Sequence, residues 1–323
     1  MHKKLPLLLC GLLFCAPVTQ ASTPSRTECI APAKPGGGFD LTCKLLQISL
    51  QETHAIDSPM RVTYMPGGVG AVAYNAIIAQ RPSEAGTVVA FSGGSLLNLA
   101  QGKFGRYNVE DVKWLAAVGT DYGAIAVRSD SPYKTLNDLL TAMQQDPDRV
   151  VVGAGASVGS QDWMKAAMLA RHANITPEKM RYVAFEGGGE PLTAMLGGHV
   201  HVLSGDMSEM VPHLQSGKIR VLAVFADHRL PGVLADVPTA KEQGYDLTWP
   251  VIRGFYLGPK VSDESYAWWE ETFKKLAATD EFKKQRDMRG LFEFNMTGKE
   301  LDAYVKKQVS EYREQAKAFG LAK

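Results

Sequence analysis

Short apolar runs rich in β-branched residues alternate along the chain with segments in which apolar residues recur at helical spacing. The apolar runs predict strands at residues 61–64, 87–91, 125–127, 149–152, 200–203 and 220–225. The periodic segments predict helices at residues 72–79, 135–145, 162–172, 190–196, 264–277 and 298–319. Because strands and helices alternate, the pattern predicts an α/β fold with largely parallel sheets.

One glycine-rich segment, residues 31–40, lies between the apolar residues 29–31 and a helical pattern that starts near Leu41. The first N–H groups of a helix have no partner within the helix, and the helix dipole favours negative charge there. Glycine also lets a ligand approach the main chain closely. The segment therefore predicts an anion site, with Asp40 placed to cap the helix. An ordinary β–α turn is the alternative.

Similar glycine-rich segments recur at residues 64–70, 91–95, 152–160 and 185–190. Each could be a simple turn. Ligands of open α/β sheets bind outside the carboxyl ends of the strands, which is where these loops are expected to lie. Together the loops predict a cleft lined with backbone donors and serine hydroxyls for a small anion.

Residues 1–21 are typical of a secretory signal. Lys3 and Lys4 precede an apolar core, residues 5–14, that is too short to span a bilayer. Removing both lysines leaves 33 basic against 34 acidic residues, so the net charge changes from +1 to −1. An exported protein with this charge has no basic surface for nucleic acid.

Cys29 and Cys43 are the cysteines that remain after the signal, and they flank the first glycine loop. In an oxidising compartment we expect them to form a disulfide. Closing a loop of roughly 15 residues would stabilise the fold by about 3 kcal/mol. Two buried free thiols are the alternative.

About 300 mature residues predict two lobes, and no linker separates them. We therefore expect strands to cross between the lobes near residues 124 and 225. This places residues 22–123 and 226–323 in the first lobe and residues 124–225 in the second.

Gly155, Ser157 and Gly159 match the G-x-S-x-G turn of serine esterases, and Asp206 and His228 follow in hydrolase order. The expected oxyanion loop is missing upstream. A secreted esterase is therefore kept as the alternative function, with Ser157 as its nucleophile.

Two further features concern ligand chemistry. Arg253 is the one basic residue in an apolar, glycine-containing stretch, where it could pair with a carboxylate or simply face solvent. His199 and His201 alternate along a predicted strand, so their side chains are expected on the same face. They could bind a metal ion, or they could simply lie on an exposed face of the strand. No third ligand residue lies beside them, so we expect no metal site.

Six ordered motifs, at residues 35–40, 66–70, 153–160, 187–191, 216–224 and 236–244, carry a resemblance that covers the mature chain. The chain resembles the substrate-binding proteins of the tripartite tricarboxylate transporters, the Bug receptors. The resemblance implies a two-lobed periplasmic binding protein of the type II kind, with no enzymatic activity and no cofactor. It would close on a carboxylate and deliver it to large and small membrane subunits.

Many relatives have Asn where this chain has Tyr64. The chain resembles the tricarboxylate subgroup in Tyr64 and Met65, in the two cysteines and in residues 249–253. This resemblance implies citrate or a related ligand.

The expected roles divide between the lobes. Main-chain groups of residues 36–39 would bind one ligand carboxylate, residues 155–160 another, and Arg253 would neutralise part of a trianion. The full set of expected ligand-binding residues is Gly36, Gly37, Gly38, Phe39, Asp40, Tyr64, Ser92, Ser95, Gly155, Ala156, Ser157, Ser160, Gly188, Asp206 and Arg253.

Overall fold

The computed structural model describes residue 24 and residues 26–322. The predicted signal, residues 1–21, lies outside the described residues. The strands are β1 Glu28–Ala31, β2 Arg61–Tyr64, β3 Thr87–Ser92, β4 Lys113–Arg128, β5 Val151–Gly155, β6 Arg181–Phe185, β7 Val202–Asp206, β8 Ile219–Val224, β9 Pro250–Leu257 and β10 Phe292–Thr297.

The helices fill most of the connections between these strands. They are α1 Gly38–Glu52, α2 Ala71–Ala79, α3 Gly93–Ala100, α4 Leu136–Gln145, α5 Gln161–His172, α6 Gly189–Leu196, α7 Met207–Gln215, α8 Asp263–Ala278, α9 Asp280–Met288 and α10 Gly298–Ala318. Within the described range, no helix combines the length and the apolar character needed to span a membrane.

One long strand, β4, belongs to two sheets. Along residues 113–122 it pairs with β9, and along residues 123–127 it pairs with β7. The first sheet has the order β2-β1-β3-β9-β4-β10, and the second has the order β8-β4-β7-β5-β6. The change of partner at Tyr122 and Gly123 gives the α/β chain two lobes with a cleft between them.

The sheets are mixed, so the prediction of largely parallel sheets was wrong. The strands of the β–α units pair in parallel, β1 with β2 and β3, and β5 with β6 and β7. However, β4 runs antiparallel to each of its neighbours, and β9 is antiparallel to β3. The antiparallel pairs therefore arise where β4 and β9 meet the strands of the β–α units, β3 and β7.

Among the described residues, three apolar clusters cover the sheets, and one of them spans both, because it includes Phe91 of the first sheet and Val152 of the second. The other two each cover one sheet. One packs α1 and α8 against the first sheet and includes Leu45, Phe255 and Trp269. Another lies on the second sheet and includes Leu203 and Met207. Residues 226–237 contribute Leu230, Leu234 and Val237 to that second cluster. The exact lobe limits, 22–123 with 226–323 and 124–225, stay a prediction.

Cys29 and Cys43 form the expected disulfide, with Cα atoms 5.7 Å apart. The bond joins β1 to α1 on both sides of the first glycine loop. Both cysteines are fully buried. This cross-link therefore holds the strand and the helix together on either side of the glycine loop.

Candidate ligand-binding site

A cavity of about 220 Å³ lies between the two sheets, where the glycine loops of both lobes meet. Most of the residues expected from the sequence line it. They are Gly37, Gly38, Phe39, Ser92, Gly155, Ala156, Ser157, Ser160, Gly188, Asp206 and Arg253. The loops converge because each follows the carboxyl end of a strand. Their role in ligand binding stays a prediction.

Gly36, Asp40 and Tyr64 lie behind the cavity wall and do not line it. Helix α1 begins at Gly38, so Asp40 lies inside its first turn, not ahead of it. The Asp40 carboxylate accepts hydrogen bonds from the N–H of Gly36 at 2.8 Å and the hydroxyl of Tyr64 at 2.9 Å. These contacts hold the loop in position from behind.

Ser92 and Ser95 form a reciprocal capping box at the start of α3, a helix that the sequence did not predict. The N–H of Ser92 donates to the Ser95 hydroxyl at 3.3 Å. Ser92 also lines the cavity, whereas Ser95 lies beside a small apolar pocket next to Tyr74.

A network of buried charges closes the floor of the cavity. Arg253 is 2% exposed, and its Nη2 lies 2.8 Å from Asp121 and 2.7 Å from Asp206. Lys165 is fully buried and lies 2.6 Å from Asp206 and 2.8 Å from Asp162. It also donates to the carbonyl of Gly205 at 2.7 Å. The positive charge of Arg253 is thus already balanced by two aspartates.

Burial raises the pKa of Asp121 and of Asp162. Burial has the same tendency at Asp206, but Lys165 and Arg253 outweigh it and hold the pKa of Asp206 below its ordinary value. The network therefore keeps Asp206 ionised between its two cations.

The N-termini of α1 and α5 face the cavity from opposite lobes. Helix α5 is capped locally, because the Ser160 hydroxyl accepts the Trp163 N–H at 3.3 Å. In the same unit, the N–H of Gly155, the last residue of β5, donates to Asp162 at 3.1 Å. Helix α1 has Gly37 at its N-cap position and no side-chain cap. Its first N–H, that of Gly38, instead donates to Oε1 of Glu209 at 2.6 Å.

Glu209 comes from α7 in the second lobe and lines the cavity. Burial, with the nearby Asp206 and Asp162, raises the pKa of Glu209 to about 8, although Arg253 opposes the shift. The environment of this carboxyl group therefore favours its protonated form.

Sequence reasoning missed Asp121, Asp162, Lys165 and Glu209. Asp162 and Lys165 are three residues apart at the start of a helix that follows a glycine loop, a spacing that could have suggested an ion pair. Asp121 and Glu209 gave no such signal, because their partners lie 132 and 171 residues away in the sequence.

The esterase elements are not brought together. Asp206 is bound to Lys165 and Arg253, and His228 is exposed on a loop and does not line the cavity. The Ser157 turn is followed by Ser160, whose hydroxyl donates to the carbonyl of Gly155 at 2.9 Å. The G-x-S-x-G pattern is thus part of a helix-capping loop.

His199 and His201 precede β7, which begins at Val202, and so are not on a strand. Nδ1 of His201 accepts the N–H of Val151 at 3.0 Å. No group of three or more His, Cys, Asp or Glu residues suited to a metal ion occurs within the part of the chain that the structure describes.

The two-lobed fold and the enclosed cleft define the chain as a solute-binding protein. The family model described as "Tripartite tricarboxylate transporter family receptor" matches residues 53–321. The chain belongs to this family, whose members are receptors and not enzymes. The resemblance stated from the sequence is therefore confirmed.

Curated relatives are moderately similar. A protein of Cupriavidus necator, "UPF0065 protein in gbd 5'region", is 27% identical over 182 residues, 56% of this chain and 50% of its own length. The chain thus spans about half of that relative. BugT of Bordetella pertussis is 25% identical over 234 residues, 71% of this chain and 69% of its own length.

Solved structures share the fold over nearly the whole chain. The periplasmic binding protein BugD is 19% identical with a TM-score of 0.81, covering 93% of this chain and 99% of its own. MatC from Rhodopseudomonas palustris, solved with malate, is 21% identical with a TM-score of 0.78, covering 90% and 99%. An R. palustris protein solved with adipate is 17% identical with a TM-score of 0.79, covering 92% and 98%.

Proposed function

We propose that this receptor binds a small carboxylate in the periplasm and delivers it to the membrane subunits of a tripartite tricarboxylate transporter. One observation carries the ligand class. A carboxyl oxygen, that of Glu209, already accepts the Gly38 N–H inside the cavity, so this helix start receives a carboxyl group. The guanidinium group of Arg253 lies directly against Gly38, with Asp121 and Asp206 as its partners.

The charge of the lining bears on which carboxylate binds. Asp162, Glu186, Asp206 and Glu209 line the cavity, against Lys103 and Arg253. A free citrate trianion would meet this acidic surface without enough cations. We therefore propose either a dicarboxylate, the class to which the malate and adipate of the solved relatives belong, or citrate bound together with a divalent cation.

The remaining parts of the proposal rest on the sequence and the family. The apolar segment 5–14 after Lys3 and Lys4 supports export to the periplasm. Family membership supports large and small membrane subunits as partners. The lobes, residues 22–123 with 226–323 and residues 124–225, would close on the ligand because each contributes part of its contacts.

Titration calorimetry on the mature protein, freed of bound ligand by unfolding and refolding, tests the proposal. The titrants are malate, adipate, and citrate with and without magnesium. Saturable binding of at least one carboxylate, near one equivalent per protein, supports the proposal. Binding of citrate in the presence of magnesium but not in its absence would identify the ligand as citrate with a divalent cation. Folded protein that binds none of the titrants contradicts the proposal.

A further inference from the structure

Glu209 contacts the other lobe at a main-chain N–H group, whereas the cavity carboxylate Asp206 contacts that lobe through the side chain of Arg253. Its helix, α7, packs on the second sheet, while its Oε1 accepts the first N–H of α1 in the first lobe. A side chain at Gly188 would collide with the Glu209 carboxyl, so this group lies directly on the backbone of that loop.

The surroundings of this carboxyl group match those expected for a bound ligand. Arg253 is 2% exposed and lies against Gly38, and its Nε has no hydrogen-bond partner. A helix N-terminus and a buried guanidinium side by side form an anion position. In this structure a side chain of the protein itself fills that position.

We propose that Glu209 acts as an internal competitor: its carboxyl group occupies the ligand carboxylate position in the closed, ligand-free receptor, and a ligand carboxylate displaces it. The inference rests on the proposed function and adds how the same site is regulated. The competing contact also joins the lobes, together with the Lys34–Glu190 ion pair at 2.6 Å and the Gln101–Gly159 hydrogen bond at 2.8 Å. Ligand binding therefore exchanges one closing contact for another.

The protonation state of Glu209 sets the strength of the competition. The charged groups around it are Asp162 of α5, Arg253 of β9 and Asp206 at the start of α7. Lys103 also lines the cavity and His213 follows on the same helix, both with a lowered pKa. As the pH rises from 7 to 9, Glu209 ionises beside Asp162 and Asp206, which weakens its hold on the buried position, and its negative charge repels an anionic ligand.

The first arm of the test needs no ligand. Amide hydrogen exchange of the segment around Gly38 is compared between the wild type, Glu209→Ala and the control Glu186→Gln. Glu186 lines the same cavity, and Glu186→Gln removes a carboxylate without vacating Gly38. We expect exchange at Gly38 to become at least about tenfold faster in Glu209→Ala only. Unchanged exchange would overturn the inference.

The second arm measures binding of malate and of citrate with magnesium by calorimetry. We expect Glu209→Ala to bind the carboxylate about tenfold more tightly, since a hydrogen bond to a carboxyl group no longer has to be broken. Glu209→Gln should remove the loss of affinity between pH 7 and 9, and Glu186→Gln should keep it. Weaker or equal binding by Glu209→Ala would show that Glu209 assists the ligand or is irrelevant to it.

The two arms separate this inference from the proposed function. If the wild type binds a carboxylate and Glu209→Ala binds it no better, the proposed function stands and the competition is overturned. If only Glu209→Ala binds, both are supported. If neither variant binds any carboxylate, both fail, even where the exchange at Gly38 responds.

Discussion

The β1–α1 and β5–α5 units of this receptor have the same order of elements, but the N–H groups near their helix starts have different hydrogen-bond partners. Each runs from a buried strand through a glycine loop into a helix that starts at the cavity. In the β5–α5 unit, the Ser160 hydroxyl accepts the Trp163 N–H at the helix start, and Asp162 accepts the Gly155 N–H at the end of the strand. In the β1–α1 unit, the Gly38 N–H is satisfied only by Glu209 from the other lobe.

The difference identifies which helix start is available to a ligand. A cap supplied by the helix itself is part of the fold, and it stays in place when the lobes separate. A cap supplied from across the cleft would be lost on opening, and the N–H group of Gly38, which lies against Arg253, would then be open to an anion. We therefore propose that the anion site of this receptor lies at α1, although the sequence suggested donors at both helices.

The largest effect is expected from Arg253→Ala, which removes the charge beneath the α1 site. It leaves Asp121 and Asp206 buried without this partner, so the free energy of unfolding should fall by about 3–5 kcal/mol. Chemical denaturation measures the change. The control, Arg61→Ala, removes an exposed arginine from Glu28, a buried residue that keeps its second partner, Arg81, and should cost less than about 1 kcal/mol. Equal losses in both variants would contradict the buried network.

The disulfide stabilises the β1–α1 unit and has no counterpart among the contacts of the β5–α5 unit. The double variant Cys29→Ser, Cys43→Ser removes a link between residues 14 apart in sequence, so unfolding should become easier by about 3 kcal/mol. Denaturation of the wild type with and without reductant should show a similar difference. A change below about 1 kcal/mol would mean that the link does not hold the α1 loop.

The pH dependence of stability separates Glu209 from the other cavity carboxylates. Its pKa of about 8 in the folded protein lies above the ordinary value, so the folded state binds this proton more tightly than the unfolded state. The stability from Glu209 is then fully present at acid pH and is lost as the pH rises towards 8.

Relative to Glu209→Gln, the wild type should lose about 1–3 kcal/mol of unfolding free energy between pH 5 and 8. Thermal or chemical denaturation of both proteins across this range gives the difference. Glu186→Gln should follow the wild type. A wild type that gains stability over the same range relative to Glu209→Gln would contradict the raised pKa.

The smallest effect is expected from Ser160→Ala, which removes the local cap of α5. The free energy of unfolding should fall by about 1 kcal/mol, the ordinary value for such a cap. Because this cap is part of the fold, carboxylate affinity should change by less than about threefold, within the spread of such measurements. Calorimetry measures the affinity, and a loss of binding like that of a cavity variant would assign a ligand to α5.

The convergence of the glycine loops could be predicted because each loop follows a strand whose pattern is local. The charge network could not, because the pairing of β4 with both β7 and β9 brings Asp121, Asp206 and Arg253 together from distant positions. Helix α7, which carries Glu209, was also missed, because it contains Pro212. The sequence therefore indicated where the cavity lies and identified Asp206 and Arg253, but it did not reveal their pairing with Asp121 and Lys165 or the position of Glu209.

The most direct test of the account is an amide-resonance titration of ¹⁵N-glycine-labelled protein with malate at pH 7. Gly37 and Gly38 should show the largest shifts, saturating with the calorimetric affinity, while Gly155 should move little because its N–H stays bound to Asp162. Large shifts at Gly155 with none at Gly38 would contradict the assignment of the carboxylate site to α1.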